Sequence, residues 1–258
     1  MKKYNSNYYK SPIKVENIWW EIIVSITTND NKEVIYSWYD KINKCSYSPY
    51  INKSLLWIFL HSIPKKVLVL WVWAGWSIKF LQDHIKNIEI TWVEIDEAMV
   101  LISKEIMEIP QENIIIKDAF LALDDFKKNY FDSILIDCYW VDSKIPEKLM
   151  SFEFFEKCKK VLTKNWIITV NMANFELERN NYETMHQNLK QNFWEFFSLF
   201  LSWKNDISNV VWVYNLDKNY KASDFTKNFL KHVKNNEILN DFEILKNTFV
   251  DEKKIYLK

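Results

Sequence analysis

The first third of the chain shows the alternation of apolar and polar residues that is typical of β-structure. Two runs rich in β-branched and aromatic residues, 18–27 and 33–39, are separated by the polar segment 28–32. Strand-like runs joined by a short polar turn predict a β-hairpin. A short apolar helix is then expected over 53–61, because Pro64 ends the apolar run.

From Lys65 onward, short apolar runs alternate with segments of helical periodicity. Continuous apolar runs are typical of parallel strands that are covered on both faces by helices. The predicted strands are 65–70, 88–95, 113–117, 131–137 and 166–172. The first predicted helix contains Ile78, Leu81 and Ile85 at helical spacing, and the others are 96–108, 119–128 and 151–163. Strands and helices that alternate in this way predict a doubly wound, Rossmann-like α/β sheet.

Beyond this core, the sequence predicts a helix over about 176–191 and two strands, 193–202 and 209–215. The short loop between these strands indicates an antiparallel hairpin at one edge of the sheet. The remaining residues are polar and rich in Lys and Asn, and we expect them to be partly helical. The predicted division is a small β-rich domain over 1–52, a Rossmann-like domain over 53–219 and an extension over 220–258.

The amino-acid composition is unusual in its glycine and tryptophan content, and this affects the interpretation of the turns. The chain has thirteen tryptophans and one glycine, whereas an average chain of this length would have roughly eighteen glycines. The turn after the first core strand reads W-V-W-A-G-W from Trp71 to Trp76. In an α/β sheet this turn approaches the ligand closely, so it needs glycine. Glycine in place of each tryptophan would give a G-x-G-x-G loop between a strand and a helix.

We therefore predict that many or all of the tryptophans are glycines in the organism. Some bacterial lineages read the codon UGA as glycine, whereas a common alternative code reads it as tryptophan. The same replacement would turn Asn165-Trp166 into Asn-Gly, a strong turn signal, and would place a glycine at Trp92. The other interpretation is a tryptophan-rich protein with unusual turns.

Charge and cysteine content argue against several classes of protein. Lys plus Arg and Asp plus Glu are both 34, so the zero net charge gives no sign of a nucleic-acid or membrane partner. No apolar run reaches the roughly eighteen residues of a membrane span, and the N-terminus lacks the apolar core of a signal peptide. The three cysteines form no CxxC pair and the four histidines have no ligand spacing. We expect a cytoplasmic protein without a metal site.

With the turn taken as glycine-rich, residues 65–172 resemble the class I S-adenosylmethionine-dependent methyltransferase superfamily. Within it, they resemble spermidine synthase, the polyamine aminopropyltransferase of polyamine biosynthesis. The segments that carry the resemblance are VLVLWVWAGWSIKFL, ITWVEIDEAMV, IIIKDAF, FDSILIDCYWVDSKIP and SFEFFEKCKKVLTKNWIITVNM. The N-terminal hairpin and Ser48-Pro49-Tyr50 are similar to the family's small β-domain and tyrosine segment. The resemblance spans roughly 18–215.

The resemblance implies a site for S-adenosylmethionine or its decarboxylated form, used as co-substrate. Glu94 would accept hydrogen bonds from the ribose hydroxyls. Asp118 would accept from the adenine amino group, while the small Ala119 lets the ring lie flat. Asp118 could also be a helix N-cap, and Asp96 or Glu97 fits the role of a carboxylate at a helix N-terminus. The predicted nucleotide-binding residues are Trp71, Trp73, Gly75, Glu94, Asp118, Ala119 and Asp137.

Asp137 is the predicted catalytic residue. A carboxylate at this strand end could orient an amine nucleophile or accept its proton. The predicted substrate contacts are Tyr139, Asp142 and Tyr50, and Cys138 is expected to be a passive wall residue. The resemblance implies a small-molecule amine substrate, no nucleic acid or membrane partner, and a homodimer, although the sequence shows no interface signal.

Some residues depart from the family's pattern on the amine side. Ala74 stands where the family has an acidic residue in the glycine loop, and Trp140 where it has a second Asp. Asp142 is displaced by two residues from that position, and Asn43 is only a nearby polar residue for an expected glutamine. Three hypotheses remain: an aminopropyltransferase, a methyltransferase with another acceptor, or an inactive nucleotide-binding homologue.

Overall fold

The computed structural model describes eleven stretches of the chain. They are residues 1–9, 11–27, 31–46, 64–71, 73–110, 112, 114–139, 144–173, 179–193, 195–203 and 206–215. Within them, the strands form an antiparallel sheet of five strands and a mixed sheet of seven. The predicted helix at 53–61 and the predicted extension at 220–258 lie outside the described residues.

The five-stranded sheet is built from the N-terminal part of the chain. Its strands, hydrogen-bonded in sequence order, are β1 (Lys2–Asn5), β2 (Pro12–Ile18), β3 (Glu21–Thr27), β4 (Glu33–Asp40) and β5 (Cys45–Ser46). Ile13 and Val15 of β2 and Ile22 and Val24 of β3 are buried. One face of this sheet is therefore apolar, as alternation with a period of two residues requires.

The predicted strand 18–27 is wrong at its start. Ile18 ends β2 and pairs with Glu21 of β3, so Trp19 and Trp20 form the two-residue turn between these strands. Trp19 has a φ of 57°, and a positive φ at the first position of such a turn favours glycine. The two indoles made this turn resemble strand residues, and the sequence analysis also missed β1 and β2.

The seven-stranded sheet confirms the predicted doubly wound α/β architecture. Its strand order is β11-β12-β10-β9-β6-β7-β8; β6 to β10 run parallel, and β12 is antiparallel to both β10 and β11. The strands are β6 (Lys66–Leu70), β7 (Glu89–Glu94), β8 (Ile114–Ile116), β9 (Phe131–Ile136), β10 (Leu162–Ala173), β11 (Glu195–Trp203) and β12 (Asp206–Asn215). The late hairpin lies at the sheet edge, as predicted.

Five α-helices connect the described strands of this sheet. They are α1 (Trp76–His84), α2 (Glu97–Glu105), α3 (Ala119–Ala122), α4 (Phe152–Val161) and α5 (Arg179–Asn192). The predicted helix at 119–128 is too long, because α3 passes into a 3-10 turn that ends at Asp125. Ser151 caps α4, since its side chain accepts a hydrogen bond from Phe154 N at 3.2 Å.

The order of the strands fixes where a ligand would bind. β6 is hydrogen-bonded to β7 on one side and to β9 on the other, so the chain reverses its direction of winding between β6 and β9. Ligands of open α/β sheets bind beyond the carboxyl ends of the strands at such a switch point. The candidate residues in the described part of the chain follow the ends of β6, β7, β8 and β9.

Candidate active site

Backbone hydrogen bonds hold the carboxyl ends of these strands together. Trp71 N donates to Val93 O at 2.8 Å, Lys117 N to Glu94 O at 3.0 Å, and Asp137 N to Leu70 O at 3.3 Å. These bonds join the residues that follow β6, β8 and β9 to a neighbouring strand. The predicted residues Glu94, Asp118 and Asp137 are therefore brought to one edge of the sheet.

The loop after β6 is closely packed and conformationally strained. Trp71 has φ 57°, Ala74 φ 48° and Gly75 φ 80°. Trp71 and Trp76 are only 4% and 2% exposed. The φ of Gly75 lies in the left-handed region that L side chains rarely adopt, so this position favours glycine. The predicted nucleotide loop thus adopts backbone angles suited to glycine while carrying buried indoles.

Glu94 ends β7 and is completely buried. Its Oε1 accepts hydrogen bonds from Ile95 N at 2.7 Å and from Asp96 N at 2.9 Å, so the side chain is held by the turn that follows. Asp96 is the N-cap of α2, where it accepts from Ala98 N at 3.0 Å. Burial raises the pKa of Asp96 above its ordinary value, opposed by the hydrogen bonds from Ser6 and Ala98.

Asp118 follows β8 at the start of α3. Its Oδ1 accepts a hydrogen bond from Leu121 N at 3.1 Å, which is the N-cap role that the sequence left open. The neighbouring Ala119 is buried. Capping by one oxygen fixes the direction of the carboxylate, so this contact is compatible with a ligand bond to the same group.

The N-terminal segment lies against the candidate site, and the sequence analysis missed it. Tyr8 lies near the carboxylates of Glu94, Asp118 and Asp96, and burial together with these charges raises its pKa well above the ordinary value. The hydroxyl therefore stays protonated. Ser6 Oγ donates to Asp96 Oδ2 at 2.6 Å and anchors this segment on α2. The three tyrosines before β2, at positions 4, 8 and 9, were the only sequence signal for the role of this segment.

A cleft of 470 Å³ lies between this segment and the ends of β7 and β8. It is lined by Tyr4, Asn5, Asn7, Tyr8, Ile95, Asp96, Glu97, Ala98, Leu101 and Ile116. None of the described residues of the loop after β6 lines it. Trp71 instead packs against the N-terminal segment, with its Nε1 donating to Tyr9 Oη at 2.8 Å and its ring edge-on to Tyr8 at 5.4 Å between centroids.

Asp137 lies on the other side of β6, at the end of β9, and is 7% exposed. Burial raises its pKa from 3.8 to about 6, opposed by a hydrogen bond from Asn171. Asn171 Nδ2 donates to Asp137 Oδ1 at 2.8 Å, and the Tyr139 hydroxyl donates to the Asn171 carbonyl oxygen. The sequence analysis missed Asn171 because nothing in the pattern of a buried strand marks which polar residue meets the carboxylate.

The neighbouring thiol does not act as an anion. Cys138 is completely buried, and its Sγ donates to Leu70 O at 3.3 Å. Burial raises the pKa of this thiol well above its ordinary value, and the nearby charges of Asp137 and Glu94 raise it further. A protonated, buried thiol is a poor nucleophile, which agrees with a role in the wall of the site.

Some predicted residues cannot be placed. Tyr50, Trp140 and Asp142 lie outside the described residues. Asn43 is engaged locally, since its Nδ2 donates to Asp40 Oδ2 at 2.6 Å. Across the described stretches, His, Cys, Asp and Glu side chains form no group of three or more that could hold a metal ion. Those stretches likewise contain no helix with the length and hydrophobicity to span a membrane.

Known proteins share this architecture. Over 154 residues the chain is 30% identical to the polyamine aminopropyltransferase of Prochlorococcus marinus strain MIT 9312, covering 56% of this chain and 54% of that protein. The chain thus matches about half the length of this relative. The probable spermidine synthase of Corynebacterium glutamicum ATCC 13032 superposes with a TM-score of 0.73 at 16% identity, covering 92% and 88% of the two chains.

A spermidine synthase in complex with the transition-state analogue AdoDATO has a TM-score of 0.63 at 16% identity, covering 95% of this chain and 90% of that one. At such identities the likeness shows the fold alone. The spermine/spermidine synthase domain matches residues 51–228, which contain every strand of the seven-stranded sheet. Because this match covers more than half of the sequence, the chain belongs to the spermine/spermidine synthase family, as its resemblance implied.

Proposed function

We propose that this chain transfers an aminopropyl group from decarboxylated S-adenosylmethionine to a small amine such as putrescine. The observation that carries the proposal is the buried carboxylate of Asp137 at the switch point of the sheet. Its relative from Prochlorococcus marinus is named a polyamine aminopropyltransferase, which supports the same chemistry. A buried carboxylate at the end of a strand is suited to hold and deprotonate an amine.

The proposed reaction is a displacement at carbon. The lone pair of the amine nitrogen forms the new N–C bond to the aminopropyl group, and the C–S bond breaks. The sulfonium sulfur keeps the electron pair and leaves as the neutral thioether 5′-methylthioadenosine. The proton lost by the nitrogen passes to the carboxylate of Asp137 and then to solvent. The protein contributes mainly orientation and charge placement.

The electrostatics of Asp137 suit this role. With a pKa of about 6, the carboxylate is mostly ionised at neutral pH and is a stronger base than an ordinary aspartate. We assign Glu94 to the ribose hydroxyls and Asp118 to the adenine, on the opposite side of β6 from the amine. A structural neighbour, a spermidine synthase in complex with the transition-state analogue AdoDATO, supports the same class of reaction.

The test compares the chain that has tryptophan at positions 71, 73 and 76 with a triple variant that carries glycine in place of Trp71, Trp73 and Trp76. Each protein is incubated with putrescine and decarboxylated S-adenosylmethionine, and spermidine and 5′-methylthioadenosine are quantified by mass spectrometry. We expect both products in equal amounts from the glycine variant. In a parallel assay, S-adenosylhomocysteine formed from S-adenosylmethionine would identify a methyltransferase. Nucleoside binding without either product would identify an inactive homologue. Either result would overturn the proposal.

A further inference from the structure

A buried amide meets the carboxylate of Asp137 from the neighbouring strand. Val170 of β10 pairs with Ile136 of β9 in parallel register; Asn171 is the next residue of β10, and Asp137 directly follows the end of β9. Asn171 Nδ2 donates to Asp137 Oδ1 at 2.8 Å, and both side chains belong to residues that are 7% exposed. The contact is therefore built by the register of the sheet.

Both partners are also fixed through their backbones. The Tyr139 hydroxyl donates to the carbonyl oxygen of Asn171. On the opposite side, Asp137 N donates to Leu70 O at 3.3 Å. Asp137 is thus held between β6, which contacts its main chain, and β10, which contacts its side chain. Such double fixation limits the rotation of the carboxylate about its side-chain bonds.

We propose that Asn171 is a positioning residue that holds Asp137 Oδ1 as a hydrogen-bond acceptor, so that Oδ2 faces the amine and receives its proton. This inference rests on the proposed aminopropyl transfer. An amide is suited to the task because it donates a hydrogen bond but neither gains nor loses a proton near neutral pH. The proton therefore enters only at the carboxylate, and at one oxygen.

The same hydrogen bond affects the charge of Asp137. Burial favours the protonated form, whereas a donor to the carboxylate favours the ionised form. Among the described residues, the titratable groups around this carboxylate are Cys138, which is held as a neutral thiol, and Tyr139, whose hydroxyl donates to the carbonyl oxygen of Asn171. Loss of the amide donor should therefore move the titration of Asp137 upward.

The test replaces Asn171 by leucine, which removes the donor at similar volume. In the protein with glycine at Trp71, Trp73 and Trp76, we expect Asn171→Leu to lower kcat about 10- to 100-fold, with KM for the nucleoside within about twofold. The acidic limb of the kcat profile should move up by about one pH unit. Asn171→Gln should recover part of the activity, because it keeps the donor. Asn171→Ala replaces the leucine variant if the latter does not fold.

A matched control lies two residues away on β10. Thr169 is completely buried, and its Oγ1 has no hydrogen-bond partner among the described residues. Thr169→Val should leave kcat and the acidic limb unchanged. Tyr139→Phe separates two roles of Tyr139. An upward shift of the acidic limb smaller than that of Asn171→Leu would indicate that Tyr139 supports Asn171. A raised KM for the amine with an unmoved acidic limb would indicate substrate contact instead, and would contradict support of Asn171 by Tyr139.

A measurement independent of turnover separates this inference from the proposed function. The carboxyl carbon of Asp137 is titrated by ¹³C NMR in the parent and in Asn171→Leu. A higher pKa together with a lower kcat supports the inference. An unmoved pKa, or a moved pKa with kcat unchanged on the pH plateau, overturns it. Absence of aminopropyl transfer in the parent refutes the proposed function. In that case the titration still shows whether the Asn171 hydrogen bond lowers the pKa of Asp137.

Discussion

The two sides of the switch point differ in how they are built. On the proposed amine side, Asp137, Asn171 and Tyr139 are buried; the Asn171 amide donates to the Asp137 carboxylate, and the Tyr139 hydroxyl donates to the main-chain carbonyl oxygen of Asn171. On the nucleoside side, Trp71 and Ala74 have positive φ angles, which cost roughly 1–3 kcal/mol each in residues other than glycine. The strain therefore lies in the half that we propose to bind the nucleoside, whereas the residues of the proposed catalytic half are already joined by hydrogen bonds.

A second tryptophan on the proposed nucleoside side also destabilises the fold. Trp92 of β7 is 1% exposed, and its Nε1 has no hydrogen-bond partner among the described residues. Its ring reaches 3.7 Å from where a Cβ on Gly75 would lie. A buried donor without a partner costs about 1–3 kcal/mol. Trp71 and Trp92 thus both carry penalties on the proposed nucleoside side, and glycine at these positions in the organism stays a prediction.

The largest expected effect comes from opening the nucleoside side. Replacing Trp71, Trp73 and Trp76 by glycine removes three indoles of about 150–250 Å² each and relieves the φ of 57° at residue 71. We expect 5′-methylthioadenosine to bind the variant at least about a hundredfold more tightly than it binds the chain with tryptophan at these positions. Isothermal titration calorimetry measures this. Equal affinities would show that the indoles do not exclude the ligand.

The gene offers an independent check on the same positions. UGA codons at 71, 73, 76 and 166 would support glycine, whereas UGG codons would end that prediction. The intact mass of the protein isolated from its own host gives the same answer, because every exchange of tryptophan for glycine lowers the mass by a fixed amount. Neither measurement depends on activity.

A large effect is also expected on the amine side, from Asp137→Asn. The amide keeps an oxygen that can accept from Asn171 but cannot accept a proton from the amine. We expect turnover to fall about 10²- to 10⁴-fold, with nucleoside affinity within about twofold. Product assays and calorimetry on the glycine variant measure the two effects. Turnover within a factor of three of the parent would remove Asp137 from the mechanism.

The same substitution should stabilise the protein at neutral pH. Burial raises the pKa of Asp137 from 3.8 to about 6, so the unfolded chain releases this proton more readily than the folded one. Stability is therefore lost as pH rises from about 4 to about 6, by up to about 3 kcal/mol. Asp137→Asn should not show this loss. Urea unfolding of parent and variant at pH 4 and pH 7 measures it, and an equal difference at both pH values would contradict the assigned pKa.

The sequence predicted the sheet well because buried parallel strands are continuous apolar runs, as in β6 and β9. It also placed Glu94, Asp118 and Asp137, since a polar residue directly after such a run stands out. Asn171 and Tyr8 were not predictable in this way. Asn171 acts through the register between two strands, and Tyr8 reaches the site from a segment distant in sequence. The turn at Trp19 was misassigned because indoles carry the signature of a strand.

A smaller effect is expected where the N-terminal segment meets the nucleoside side. Ser6 Oγ donates to Asp96 Oδ2 at 2.6 Å and accepts from Tyr8 N at 3.1 Å and Tyr9 N at 2.7 Å. Ser6→Ala should lower the free energy of unfolding by about 1–2 kcal/mol and weaken nucleoside binding severalfold, because Tyr8 loses its anchor. Ser11→Ala is the control, since Ser11 has no hydrogen-bond partner among the described residues. Equal affinities for the two variants would exclude the segment from the site.

The smallest effect is expected at Trp19, which has the same φ of 57° as Trp71 but is 82% exposed in the turn between β2 and β3. Trp19→Gly should raise the free energy of unfolding by about 1 kcal/mol, because glycine adopts this angle without a steric penalty and little buried surface is lost. Nucleoside affinity should not change, since the turn lies away from the strand ends of the seven-stranded sheet. Urea unfolding and calorimetry on this single variant therefore separate relief of backbone strain from opening of the site. A gain in affinity as large as that from the loop substitutions would mean that strain, and not the volume of the indoles, is what excludes the ligand.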